Sequence, residues 1–536
     1  MLMKRNIRIL AILAVTTFML SCSDWLTLTP EDGVIREEFW QTKEHVNSAV
    51  IGCYASLLDG PVEKMFLWGE LRTDMIDNGV IINGSYAQVI DGEISAENSV
   101  VDWSSFYSTI NNCNTVLRFA PEVREKDGTF TLSQLKAYEA EAITLRALMY
   151  FYLVRSFGDV PLVMEASVSD DQQYSIAKTS GSAILDTMIN TLRVAVANAP
   201  LSYKSTAENK SRITAWSARA LLADILLWQE RYAEANQLCD EIIGSNKFNL
   251  IPVDKTLIEM EDGGIVFDTV YEPNEGDAEN LFFMTYVAGN SIESVFEIPF
   301  TTLKTNPFYN LLGPTVNKLR PKIDVVDGVI FPEPKYLSVS TATDVRGSGF
   351  SFRNNMVWKY VGSSRSGAAR ETSNYTSPWL VYKYSDVLLM KAEALTQMGL
   401  NSTGNEDQMM NLYRQAIETM AKVRDARNAV STSEYEFDTD LDGKMLEKAI
   451  LNERAREFAY EGKRWYDVLR HARRGDYAGT NLQYLINMAV YSASPQKQQS
   501  LIAKYRDPRR NSHYWPIFIT ELETNKELKQ NEFYAQ

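Results

Sequence analysis

Ala218-Arg219-Ala220-Leu221-Leu222-Ala223-Asp224 runs through Gln229-Glu230-Arg231-Tyr232 into Ala235-Asn236-Gln237-Leu238-Cys239. At 3.6 residues per turn this reads as a helix, a short polar turn and a second helix, with small residues at the crossing and an aromatic beside the turn. A second copy runs Leu388-Leu389-Met390-Lys391-Ala392-Glu393-Ala394 and, past a polar loop with Gly399 and Gly404, Tyr413-Arg414-Gln415-Ala416-Ile417. This is the logic of tetratricopeptide-like hairpins stacked face to face, here irregularly spaced. A generic helical bundle fits the same pattern, and periodicity alone leaves both open.

Outward from these hairpins, helical spacing recurs over 35–58, 103–119, 133–157, 182–198, 212–229, 232–245, 384–398, 407–428 and 444–473. Ser133 is the expected opening of the long 133–157 helix, Phe157-Gly158-Asp159-Val160-Pro161 its close, and Pro121 the end of 103–119. Residues 251–384 differ: they hold nine of the 17 prolines and ten of the 27 glycines, and no long helical period survives there. The expected fold is mostly α, with irregular tetratricopeptide-like hairpins and an inserted lobe of loops and short strands. The expected divisions are a leader over 1–21, a helical part over 22–250, the irregular lobe over 251–384 and a second helical part over 385–536.

The 536 residues are 45% apolar and 23% charged, ordinary globular composition, with a net charge of −15. That field repels a polyanion, so nucleic acid is not an expected partner. Three histidines (His45, His471, His513) lie far apart, and Cys22, Cys53, Cys113 and Cys239 have no metal-ligand spacing. Cys113 and Cys239 fall at apolar positions of helices and read as small core residues. There is no nucleophile elbow, phosphate-binding glycine loop or zinc-protease motif, and no carboxylate pair for glycoside hydrolysis stands out among 69 acids. The chain is therefore expected to bind rather than catalyse, without a cofactor. One stretch, Asp438, Asp440 and Asp442 followed by Gly443, resembles the start of a calcium loop, but Ala449 stands where the bidentate glutamate belongs. The simpler reading is an acidic turn in which Asp442 caps a helix starting near Lys444.

At the N-terminus, Lys4, Arg5 and Arg8 precede an apolar run from Ile9 to Leu20, too short to span a bilayer and suited to a signal-peptide core. It ends in Met19-Leu20-Ser21-Cys22, which resembles the lipobox of bacterial lipoproteins, although Met19 stands where Leu or Val is usual. Cys22 is accordingly the expected lipid attachment site; the alternative is an ordinary signal peptide with a fortuitous cysteine.

Several segments together resemble the SusD/RagB family of surface lipoproteins from Bacteroidetes. They are Glu70-Leu71-Arg72-Thr73-Asp74; Trp103 with Tyr107 and Asn114; Glu141-Ala142 through Phe157-Gly158-Asp159-Val160-Pro161-Leu162; Tyr384 to Ala394; and Glu453 to Phe458 with Glu461 to Asp467. The C-terminal Tyr514-Trp515-Pro516-Ile517 and Asn531-Glu532-Phe533-Tyr534 match the family's closing segment only in part. The resemblance implies an outer-membrane lipoprotein, exposed at the cell surface, that captures oligosaccharide for a TonB-dependent, SusC-like barrel transporter. Its alternatives are a RagB-like peptide binder serving a peptide importer and, more remotely, a surface glycoside hydrolase.

For the ligand, an aromatic ring face packs on the CH face of a sugar while amides and charged groups bond its hydroxyls. Two groups of residues fit. Trp68, Arg72, Asp74, Asn78 and Tyr86 lie in a glycine-punctuated stretch, and Trp358, Tyr360, Tyr375 and Trp379 lie near the end of the irregular lobe. The expectation is that they meet across one shallow cleft. The competing reading packs these aromatics in the core and makes Glu70 to Asp74 a structural ion-pair segment.

Overall fold

The computed structural model describes residues 39–168, 172–334, 336–402, 404–429, 442–506 and 511–535. The principal helices are α1 (Lys43–Leu57), α2 (Pro61–Glu70), α3 (Gly84–Ile90), α4 (Ser104–Lys126), α5 (Leu132–Phe157), α6 (Gly181–Asn198), α7 (Ala215–Trp228) and α8 (Tyr232–Gly244). After the irregular stretch come α9 (Tyr384–Leu400), α10 (Glu406–Ala426), α11 (Gly443–Glu457), α12 (Arg464–Arg474), α13 (Gly479–Tyr491) and α14 (Gln498–Tyr505). Each packs on the next in a running stack: α1 on α4, α4 on α5, α5 on α6, α6 on α7, α7 on α8, α8 on α9, and α9 on both α10 and α11. The two hairpins read from the sequence are thus neighbours, joined through α8 and α9 although 139 residues separate them in the chain.

Helix starts follow local chemistry. Thr42 caps α1, Thr131 forms a capping box with Gln134 on α5, and Thr214 does so with Ser217 on α7. The caps at Thr42 and Thr131 start α1 at Lys43 and α5 at Leu132, against expected starts at 35 and Ser133. Helix α4 continues past Pro121 to Lys126, because Ala120 and Val123 are buried on either side and packing outweighs one lost backbone bond. The expected single helix over 444–473 is two, α11 and α12, broken where Tyr460 and Gly462 adopt positive φ. Cys53, Cys113 and Cys239 are buried, as core residues.

Between α8 and α9 the strands are short. A hairpin pairs β2 (Lys255–Asp262) with β3 (Ile265–Pro273) about a Gly263-Gly264 turn at positive φ, and β4 (Ser294–Ile298) pairs with β6 (Trp379–Lys383). The strand β1 (Ile76–Asn78), just after α2, pairs antiparallel with β5 (Leu319–Pro321), opposing Asp77 to Arg320. That ladder ties the segment following α2 to the irregular stretch.

Candidate functional site

Most of the residues expected to bind ligand are core, which corrects that expectation. Trp68 sits on α2, not in a loop, with no exposed surface; it stacks on Phe106 at 4.6 Å and donates its indole N–H to Val100 O at 2.7 Å. Trp358 is buried with its N–H on Ser364 O at 2.8 Å, and Tyr375 packs edge-on against Tyr309 at 5.1 Å. Tyr360 stacks on Phe308 at 3.9 Å, Trp379 stacks on the same ring, and Phe66 of α2, outside either expected group, sets its edge against all three. None of these rings offers a face to a sugar. Large apolar surfaces gain more from mutual burial than a rigid scaffold can spare for solvent. Tyr86 is buried on α3 beneath the Asn83 cap, and Asn78 is half-buried in β1.

The Glu70 to Asp74 segment docks on Glu461 to Trp465, so two family-like motifs far apart in sequence form one contact. Gly69 abuts Gly462, and a Cβ on Gly69 would lie 2.0 Å from Gly462 O. The Gly462 amide donates to Glu70 Oε1 at 2.7 Å, and burial pushes the Glu70 carboxyl up to about 8. The Arg72 guanidinium lies between the Trp465 and Trp515 rings, 3.8 and 3.9 Å from their centroids, and donates to His513 O at 2.7 Å. Asp74 takes Arg464 in a bidentate pair, 3.1 and 2.8 Å. Of the expected ligand residues, Asp74 borders an open cleft.

That cleft, about 320 Å³, lies between α11 and α13. Lys448, Asn452 and Arg456, four residues apart, put one face of α11 along it; Tyr484, Asn487, Met488 and Tyr491 put one face of α13 opposite. Asp74 with Arg464 also lines it, and Val329 and Ile330 of the irregular stretch close one side. Lys448, Tyr484 and Asn487 continue it into a second hollow of about 300 Å³ beside Lys444, Glu447 and His471. By contrast, the void lined by Arg155, Asp224, Asp386 and Arg454 measures about 20 Å³, space for a water and no more.

The cleft's polar groups are held in place. Tyr484 donates its hydroxyl to Asn452 Oδ1 at 2.8 Å and accepts from Arg464 Nη2 at 3.3 Å. Burial opposes the Arg464 charge, but the Asp74 carboxylate outweighs it and holds the guanidinium ionised above its usual range. Arg456 donates from Nε to Ile330 O at 2.8 Å and from Nη1 to Glu453 Oε2 at 3.2 Å. Tyr491 stands at the rim, 53% exposed, with its ring free of contacts to other rings among the described residues. A fixed amide and hydroxyl array beside a free aromatic face can bond hydroxyls and stack a flat apolar ring face. The sequence reading missed this site because it merged α11 with α12 and placed no helix at 479–491. The available signal was Tyr484-x-x-Asn487-Met488-x-x-Tyr491, a helical face behind Gly475 and Gly479.

Asp442 caps α11, accepting from Lys444 N at 2.9 Å, as the acidic-turn reading expects. Cys22, Asp438 and Asp440 lie outside the described residues. No group of three or more potential metal ligands occurs among the described residues.

Comparison with known proteins places this architecture. Residues 333–534 match the SusD family, and residues 24–227 match the SusD-like family described as starch-binding, associating with the outer membrane. SusD-like protein P38 of Formosa agariphila is 24% identical over 98% of this chain and 99% of its own length. The crystal structure of a SusD superfamily protein from Bacteroides vulgatus superposes with a TM-score of 0.69 at 18% identity, covering 92% of this chain and all of that one. Surface glycan-binding protein A from Bacteroides thetaiotaomicron, solved with laminarihexaose, gives 0.62 at 20% identity over 92% of this chain and 100% of its own. At these identities the solved structures speak for the fold. With both the N-terminal and the C-terminal helical parts matched, the chain belongs to the SusD/RagB family.

Proposed function

We propose that this protein is a lipid-anchored, surface-exposed binder of the outer membrane that captures oligosaccharide in the α11–α13 cleft and passes it to a partner TonB-dependent barrel transporter, without cleaving it. The observation that carries the reading is the cleft itself. A half-exposed Tyr491 ring stands beside an amide and hydroxyl array made rigid by Tyr484, Asn452, Arg464 and Asp74. A rigid array loses little freedom when ligand binds. Support for the ligand class comes from the matched family's description as starch-binding and outer-membrane-associated and from a structural relative solved with laminarihexaose. Support for the anchor comes from the Met19-Leu20-Ser21-Cys22 segment behind a short apolar run. In this reading Asp74 acts through Arg464, fixing the cleft's floor, and the aromatics of the two expected groups hold the scaffold.

The test is a calorimetric screen of the mature protein against soluble oligosaccharides and peptide pools, with the mixtures checked by chromatography afterwards. Binding of an oligosaccharide with the ligand recovered intact is expected. Binding confined to peptides would move the protein to a peptide importer, and chain cleavage by the pure protein would make it an enzyme.

A further inference from the structure

We propose that Cys53 of α1 and Cys113 of α4 join in a disulfide as the exported chain folds, a covalent tie across the α1–α4 contact; its oxidant rests on the reading of the protein as an exported lipoprotein, its geometry does not. The geometry starts from the register of the two helices, which pack on each other. Gly60, just past α1, sits where a Cβ would lie 3.0 Å from Ser105 Cβ. One turn back along α1, Ser56 Oγ donates to Thr109 Oγ1 at 2.9 Å. At the far end, Lys43 N donates to Asp127 Oδ2 at 3.0 Å and Lys126 Nζ to Trp40 O at 3.1 Å. The helices therefore run antiparallel, and a turn back along α1 meets a turn forward along α4. The rung after Ser56 and Thr109 is Cys53 and Cys113. There the two thiols are in hydrogen-bonding contact, and neither residue has exposed surface. A disulfide needs Cβ atoms about 3.5–4.5 Å apart, so it fits only where two backbones come close. Glycine, serine and threonine on the preceding rungs bring α1 and α4 to that approach.

Making the bond breaks two S–H bonds and removes two electrons. The acceptor is the disulfide of a thiol–disulfide oxidant of the periplasm. The thiolate of one cysteine attacks it to give a mixed disulfide; the thiolate of the other attacks that, closing the Sγ–Sγ bond and releasing the oxidant as a dithiol that carries the electron pair and both protons. The folded protein is a poor substrate for this exchange. The hydrogen bond with Cys113, then burial, hold the Cys53 thiol well above the usual thiol range, so little thiolate forms, and both sulfurs are out of reach. The bond is therefore made while α1 and α4 are still closing on each other, and packing afterwards seals it from reductants. It closes a loop of about 60 residues, which restricts the unfolded chain. Cys239, on α8, is buried with Asp240, Lys391 and Asp224 among its charged neighbours, and serves as the internal control that stays a thiol.

The experiment takes the protein, expressed with its leader, from the outer-membrane fraction of cells. It is unfolded in guanidinium with an alkylating agent and no reductant, digested, and mapped by mass spectrometry. The expected map has one cross-linked pair joining the Cys53 and Cys113 peptides, with Cys239 alkylated; a parallel digest with reductant splits the pair. Refolding the reduced protein in a glutathione redox buffer should regenerate the same pair, and Cys53→Ala should leave Cys113 fully alkylated without reductant. Cys53 and Cys113 both alkylated before reduction, or a cross-link that uses Cys239 instead, overturns the proposal and leaves the anchor and glycan capture standing. Absence of the protein from the outer-membrane fraction removes the exported reading and the disulfide with it.

Discussion

Trp68→Ala distinguishes a scaffold tryptophan from a binding one. Trp68 has no exposed surface, stacks on Phe106 at 4.6 Å, meets the edge of Phe157 at 5.1 Å and donates to Val100 O at 2.7 Å. Truncation opens a cavity worth about 3–5 kcal/mol, and stripping a buried carbonyl of its donor adds about 1 kcal/mol or more. The expected loss is therefore about 4–6 kcal/mol. For 536 residues, at about 2 cal/mol/K each, the unfolding entropy is roughly 1 kcal/mol/K, so the melting temperature should fall by about 4–6 °C if the chain melts as one unit. Scanning calorimetry reads the shift, and titration at a temperature well below the transition reads affinity. The reasoning predicts a clear loss of stability with affinity within about twofold of wild type, because no part of the ring reaches ligand. An unchanged melting temperature together with lost binding would show that Trp68 faces ligand after all and that the core placement is wrong.

Three further perturbations follow from the same geometry. Glu457 is fully buried against Arg346, Arg427 and Lys383 at 3.1, 3.2 and 3.4 Å; burial alone would raise its pKa, but these cations hold it well below the usual carboxylate range. Glu457→Gln should cost about 3–5 kcal/mol in denaturant unfolding by leaving three cations short of charge, and wild type should lose this contribution as pH falls through that depressed value. Glu70 carries the opposite sign: with its carboxyl at about 8, the folded state holds a proton the unfolded chain releases, so its contribution is full below about 4.5 and is lost as pH rises through 8. Glu70→Gln should flatten that decline between about pH 4.5 and 8 in a pH series of melting curves, and an unchanged slope would refute it. Cys22→Ala should move the protein from the detergent phase to the aqueous phase in partitioning of expressing cells; unchanged partitioning would refute the lipid anchor.

The helical stack was legible in the sequence because its signals are local. Ala218 to Cys239 carries its own period and its own turn, and the later copy at Leu388 to Ile417 does the same, so each hairpin could be read without its neighbours. The break between α11 and α12 was not legible. Gly462 is turned by its contact with Gly69 of α2, a partner nearly 400 residues away. The misassigned aromatics have the same cause. Trp68 sits in a glycine-punctuated stretch and Trp379 among serines and an asparagine, contexts that suggest loops, yet Trp68 is covered by Phe106 and Trp379 by Phe66 and Phe308, all from other segments. Asp74 shows the limit from the other side. Its sequence context suits a ligand residue and an ion pair alike, and Arg464, supplied by α12, decides for the pair while leaving it at the cleft wall.

The central claim, that glycan is held between α11 and α13, is tested most directly by titrating the oligosaccharide found in the screen into Tyr491→Ala. Tyr491 is half-exposed at the cleft rim and packs on no other ring among the described residues, so its removal leaves folding intact. The account predicts an affinity loss of about 1–3 kcal/mol, roughly five- to 150-fold, with the melting temperature of wild type. Full affinity in Tyr491→Ala would place the ligand elsewhere on the molecule.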